Sequence, residues 1–348
     1  HFSRRVSNPK PNAIALVVQK WRAQGQALVN LSDSNPTRHG LGKGNSPYQA
    51  NPRGPLEARH ALAKYLSARD SREVNPENLY LLSSTSQGYS WLMKLLCDFG
   101  EAVLGPTPGY PLIETLADLE NVQVTPYRYA WLGRKWELDP LSLIASEEFA
   151  GEQGWRLSRS LSRVSGTVLD EALPGRGSDG RLPGTRVSRS SIGWSSGIDN
   201  VSAPREPAGF PVTQAFDSDS ASAPNDSARS SVTRALIVIN PSNPTGAYLD
   251  SYERKTLLNY CARHSLPLIA DEVFYDFRLP AAPSSRARLA GCSQNLTFAL
   301  DGLSKSLSAP GYKIAWLEVS GPDSLVAEAK TRLDIIADAY LPFSEILA

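Results

Sequence analysis

Two hydrophobic patterns alternate along the chain. Mostly apolar runs cover Leu79 to Leu82, Ala102 to Leu104, Ala235 to Ile239, Leu266 to Ala270, Leu296 to Leu300 and Ile314 to Val319. Short runs of this kind predict strands buried on both faces. Val122 to Val124 predicts another strand, and Trp136 to Ala145 a strand end followed by a helix from about Asp139-Pro140. Between these runs the apolar residues recur at helical spacing. Leu56 to Arg69 predicts a helix with Leu56, His60, Ala63 and Leu66 on one stripe, and Leu92, Leu95, Leu96 and Phe99 mark a second. Further helices are predicted over Leu112 to Leu119, Tyr252 to His264 and Ser324 to Tyr340, and a short amphipathic one over residues 13–23. Alternating strands and helices predict an α/β fold: three αβα layers around a mostly parallel sheet.

The pattern fails between residues 151 and 232. That stretch is rich in Ser, Gly, Arg, Pro and Asp and has no sustained period. It is expected to be disordered or a long mobile surface insertion. Elsewhere composition only narrows the class. A net charge of +1 points to neither nucleic acid nor an anionic membrane. No apolar run reaches membrane-spanning length. Cys97, Cys261 and Cys292 are odd in number and far apart. They read as small core hydrophobes in a reducing, cytoplasmic setting rather than as a disulfide framework. The histidines (His1, His39, His60 and His264) have no metal-ligand spacing.

Chemistry-bearing residues collect just after predicted strands, where open α/β sheets place their sites. The Asp301–Lys313 stretch sets Lys305 in a small-residue loop between two strands, where partial desolvation would make it a nucleophile toward carbonyls. Asp271 ends one strand, Asn243 lies in the turn after another, and Tyr110 sits in the Gly105–Pro111 turn. Ser84, Thr85 and Ser86 join a strand to a helix. This is either a phosphate cradle of backbone N–H groups and hydroxyls or plain serine N-capping. A lysine, a carboxylate, an aromatic ring, an amide and an anion cradle together answer the needs of pyridoxal 5′-phosphate.

The runs STSQGYSWLMKLL, GPTPGYP, NPSNPTG, ADEVF and GLSKSLSAPGYKIAW, with LSDSNPTRHGL and YQANPRGPLEARHALAKYL before them, carry a resemblance. The chain resembles fold-type-I pyridoxal-phosphate enzymes of the class I/II aminotransferase family, similar to aspartate aminotransferase. The resemblance implies that Lys305 is the Schiff-base lysine and Asp271 the partner of the pyridinium nitrogen. It places Asn243 by the ring oxygen, Tyr110 stacked on the ring, and Ser84, Thr85 and Ser86 around the phosphate. Tyr48 resembles a tyrosine that reaches the partner subunit's phosphate, which implies a homodimer. The implied substrates are an amino acid and a 2-oxo acid, with no nucleic acid or membrane partner. A lyase, decarboxylase or synthase of the same fold shares these motifs, and a non-catalytic fragment stands as a third reading.

Departures from the family pattern qualify the resemblance. Phe274 stands where a tyrosine is common, and Tyr275 beside it is expected to face the other way if the strand continues. Lys313 holds the place of a phosphate-binding arginine, keeping the charge but not the fork. Gly302 replaces a frequent serine. The family's substrate-gripping arginine in a C-terminal small domain has no match after Lys305, so a truncated small domain is expected, with the apolar face of the 324–340 helix left exposed. The expected layout is 1–44 in the small domain, 45–150 with 233–320 as the cofactor-binding large domain, 151–232 as the insertion, and 321–348 as an interdomain helix entering the small domain.

Overall fold

The computed structural model describes residues 2–6, 13–27, 50–148, 232–277, 284–340 and 343–344. The Leu31–Arg38 turn, Tyr48 and the 151–231 stretch lie outside the described residues.

Eight strands form one sheet: β1 (Leu79–Leu82), β2 (Ala102–Thr107), β3 (Gln123–Trp131), β4 (Trp136–Leu138), β5 (Thr233–Ile239), β6 (Leu268–Asp271), β7 (Thr297–Gly302) and β8 (Ala315–Ser320). Their order is β1-β8-β7-β6-β5-β2-β3-β4. Pairing from β7 through β3 is parallel, as expected for alternating strands and helices. β8 runs antiparallel to both β1 and β7, and β4 runs antiparallel to β3. β1, β2, β5, β6 and β7 therefore point the same way and finish at one edge of the sheet.

The helices are α1 (Ala13–Ala23), α2 (Leu56–Asp70), α3 (Thr85–Leu96), α4 (Leu112–Leu119), α5 (Pro140–Glu148), α6 (Ser251–His264), α7 (Leu303–Ser306) and α8 (Asp323–Ala339). One face of the sheet (Tyr80, Leu82, Ile237, Ile269, Phe298, Leu300) packs with α3 and α8 into a single core. The opposite face buries Leu104, Leu236, Val238, Leu268 and Ala270 with α6, and Leu79, Leu81 and Trp316 with α2. Strands covered on both sides have no polar face, which is why they read as continuous apolar runs.

Several sequence expectations need correction. The buried stripe of α2 is Arg59, Ala63 and Leu66, while His60 is exposed and Leu56 keeps 45% of its surface in solvent. Arg59 is inside because its guanidinium donates to the carbonyls of Gly54 and Pro76 and to Glu77. Phe99 lies past the end of α3 and is 66% exposed, with Arg5 stacked over its ring at 4.6 Å. The helix over 13–23 is present, but it buries no residue. The apolar face of α8 is covered: Val326, Ala329, Leu333, Ile336 and Ala337 are buried in the core shared with α3.

Candidate functional site

The carboxyl edge of the sheet gathers the predicted residues. Strand register aligns Ile239, Asp271 and Leu300 across β5, β6 and β7, and Gly302 with Ala315 and Leu82 across β7, β8 and β1. Asp271 closes β6. On the neighbouring strand β7 continues to Gly302 and passes directly into α7, which carries Lys305. Lys305 thus rides a single helical turn rather than a loop. Its turn is closed by Ser306 Oγ donating to the Gly302 carbonyl at 2.9 Å and by the Leu307 N–H donating to Leu303 at 3.2 Å.

Asp271 is buried on the α3 side of the sheet. One oxygen accepts from the Tyr89 hydroxyl at 3.0 Å, the other from the Val273 N–H at 3.2 Å. No cationic side chain among the described residues forms an ion pair with it. Burial pushes its pKa up to about 6, against the pull of those two donors, with the Asp301 charge adding to the rise. Tyr89 was not anticipated, although its phase in α3 puts it on the inner stripe, and an inward tyrosine needs a partner for its hydroxyl. Tyr110 is 39% exposed in the segment that joins β2 to α4.

The Lys305 ammonium sits 5.3 Å from the centroid of the Phe274 ring. β6 does not continue past Asp271; residues 273–276 form a turn. Tyr275 does face away, but because of that turn rather than strand alternation. It is buried against Tyr248, and Arg288 stacks on its ring at 4.1 Å. Gly302 is extended, and a Cβ there would come within 3.0 Å of Ala315 Cβ and the Ile314 carbonyl. A serine at this point would crowd β8.

Ser84 is the N-cap of α3, its hydroxyl accepting from the Gln87 N–H at 3.2 Å. The capping reading of this serine therefore holds, and it leaves the N–H groups and hydroxyls of Thr85 and Ser86 at the open end of the helix. Gly88 lets α3 lie close on the sheet: a Cβ there would fall 2.4 Å from Leu300 Cδ2. Among the described residues the Asn243 side chain has no hydrogen-bond partner, whereas Asn240 in the same turn is spent on structure, bonded to Ala287 and to the Leu249 N–H. Lys313 is exposed in a left-handed conformation (φ 55°) that caps the 310 turn Pro310–Tyr312.

Behind this edge lies an ionic cluster that sequence reading did not find. Arg69, Arg72 and Arg288 face Asp70, Glu272, Asp276, Asp301 and Glu318. Burial pushes Glu272 up to about 7 and Asp301 up to about 6, against the neighbouring guanidinium groups. Among the described residues no group of His, Cys, Asp and Glu could hold a metal ion, and no helix is long and apolar enough to cross a membrane. The three cysteines are buried and free.

Known proteins match this chain over most of its length. A glutamate-pyruvate aminotransferase of Escherichia coli K12 is 23% identical over 321 residues, which is 91% of this chain and 54% of the relative. An alanine aminotransferase of Mycobacterium tuberculosis is 37% identical over 113 residues, 31% of this chain and 25% of that protein. The chain spans about half the length of the first of these relatives. In structure, an alanine aminotransferase from Pyrococcus furiosus superposes with a TM-score of 0.55 at 16% identity, covering 98% of this chain and 69% of that one. An aminotransferase from Escherichia coli gives 0.54 at 17% identity, covering 97% and 67%. These two likenesses concern the fold. The family model for aminotransferase class I and II matches residues 16–154 and 201–347, and the chain belongs to that family.

Proposed function

We propose that the carboxyl edge of this sheet is the cofactor site of a transaminase that moves an amino group between an amino acid and a 2-oxo acid. The observation that carries the proposal is Asp271, a buried carboxylate with no cationic partner among the described residues, at the end of the strand beside the one that delivers Lys305. The family's cofactor is pyridoxal 5′-phosphate. Its ring nitrogen, when protonated, is the missing cation for Asp271. Its phosphate suits the open N-terminus of α3, where Thr85 and Ser86 present donors. Its aldehyde suits the Lys305 amine, and its ring oxygen the unpartnered Asn243 amide. The residues present therefore fit the group. Two contacts are weaker than the family pattern: Phe274 offers no hydroxyl, and Lys313 offers no fork.

When bound, the cofactor supplies an electron sink for the carbanion formed at the substrate's Cα. The chain's own residues supply the rest. Asp271 would hold the proton on the ring nitrogen, and Tyr89 orients that carboxylate and favours its ionised form. Tyr110 would offer an aromatic face to the ring. Lys305 Nζ, placed over Phe274, would hold the cofactor's aldehyde carbon and, once released, would be the base for the proton at the substrate's Cα. Residues 45–150 and 233–320 make the cofactor-binding large domain. Tyr48 serves a homodimer partner's phosphate, and the setting is cytoplasmic, within amino-acid biosynthesis.

The test is a visible spectrum of the purified chain with added pyridoxal 5′-phosphate, before and after borohydride, beside Lys305→Ala. The expected result is an absorbance band that borohydride fixes covalently on the Lys305 peptide and that the alanine variant lacks. A folded chain that takes up no cofactor on Lys305 would overturn the proposal. Pairing amino donors with 2-oxo acids then identifies transamination by the appearance of the second amino acid.

A further inference from the structure

Asp271 ends β6, but Phe274 beside Lys305 lies in the turn that follows and Lys305 in the helical turn after β7, and the strand ladders end before both turns are complete. The ionic cluster lies where it can link them. Asp301 is buried on β7, four residues before Lys305. One of its oxygens accepts from the Gly302 N–H at 2.7 Å, and the other from Arg69 Nη1 at 2.8 Å. Arg69 also reaches Asp276, at 3.3 Å, on the turn that follows Asp271. Arg288 grips the same Asp276 at 2.6 Å and stands 3.6 Å from Asp301. Both arginines are fixed to Asp70 at the end of α2, at 2.8 and 3.1 Å. Two guanidinium groups anchored on one helix thus tie the β6 turn to the end of β7, the strand that leads into the Lys305 turn, and both are largely buried.

We infer that Arg69 and Arg288 form a clasp that sets the Lys305 turn against the Asp271–Phe274 turn, with Asp301 as the positioning residue through which the clasp reaches Lys305. This rests on the reading of Lys305 as the cofactor lysine. A clasp of charges suits the task because a guanidinium fork fixes direction as well as distance. The alternative, an ion-pair cluster that only stabilises the fold, makes a different forecast for each variant below.

The informative substitution is Asp301→Asn. It keeps an acceptor for the Gly302 N–H but turns an amide N–H₂ or a neutral oxygen toward Arg69. Arg69→Lys is the conservative partner, and Leu138→Ala, in β4 at the far edge of the sheet, is a control that loosens the fold without touching the clasp. Lys305 of the cofactor-free chain is labelled with a pulse of acetic anhydride across pH 6 to pH 10, and the Lys305 peptide is quantified by mass. The loaded chain is titrated by absorbance, and borohydride trapping on Lys305 is timed. For Asp301→Asn the expected result is a changed pH profile of Lys305 labelling and trapping slowed about tenfold. Arg69→Lys should fall between it and wild type, and Leu138→Ala should keep the wild-type profile. Wild-type labelling and trapping in folded Asp301→Asn, or the same change in Leu138→Ala, would overturn the clasp. If wild-type chain takes up no cofactor, the functional reading fails by itself, and the labelling profile still decides the clasp.

Discussion

At the scale of the residue, Asp271 sets function against stability. Its pKa rises from 3.8 to about 6 on folding because burial disfavours the charge. A raised carboxyl pKa means that the folded chain holds the proton more tightly than the unfolded one. Stability from this group is complete below about pH 4 and is lost as pH rises through about 6. In the cofactor-free chain Asp271→Asn, neutral at every pH, is therefore expected to be more stable than wild type at pH 7 by roughly 2–3 kcal/mol and equal to it near pH 4. Urea unfolding at both pH values measures the difference. Cofactor uptake should run the other way, falling in wild type as pH drops through 6 and remaining poor in Asp271→Asn. Equal stabilities at pH 7 would mean that the carboxylate is not strained by burial. A second residue follows the same logic of matched charge. Lys313→Arg restores a bidentate fork, so if Lys313 serves the phosphate, the dissociation constant for pyridoxal 5′-phosphate should fall several-fold, and inorganic phosphate should compete more strongly.

Among the elements, α3 does most to place the site. It begins at the Ser84 cap, presents its N-terminal donors at the sheet edge, and carries Tyr89 inward to Asp271. Gly88 makes this approach possible, since a Cβ there meets Leu300 Cδ2 at 2.4 Å and Leu82 Cδ1 at 3.0 Å in a fully packed core. Gly88→Ala should lose about 1–3 kcal/mol from overpacking, despite alanine's better helix propensity. Its midpoint in urea should fall with an unchanged slope, and a neutral result would show that helix and sheet have room to spare. The elements were legible in the sequence because period and run length mark them, and the gathering of Ser84, Tyr110, Asn243, Asp271 and Lys305 at one edge because each lies at or just after a strand end. What was not legible is contact between distant positions. Tyr89 finds Asp271 across 182 residues and Arg69 finds Asp301 across 232, and no local pattern encodes either pairing. The antiparallel direction of β8 was hidden for a related reason: a strand covered on both faces reads the same in either direction. The position of Arg59 was hidden by its charge, which is satisfied by carbonyls outside its own helix.

For the whole molecule, the proposed site is a property of the sheet's edge rather than of any one segment. Turns at the ends of β1, β2, β5, β6 and β7 would each contribute one part, and these strands enter the sequence in two blocks separated by residues 149–231. A ligand that touches all five turns ties the two blocks together, so its binding should stabilise the central strands as a unit. At a hundredfold excess over its dissociation constant, pyridoxal 5′-phosphate should add about 2.7 kcal/mol to unfolding stability. The gain should be unevenly spread. Amide exchange should slow most in peptides covering β6, β7 and the start of α3, whose ends meet the cofactor. It should change least at the β3–β4 hairpin on the far edge, where Trp131 and Trp136 pack against each other away from the site. Lys305→Ala should shrink the gain in all peptides together, because the remaining contacts still share one ligand. Protection confined to α3 alone would mean that the helix end captures the phosphate while Lys305 and Asp271 take no part. The five turns would then be neighbours in the fold without being one site.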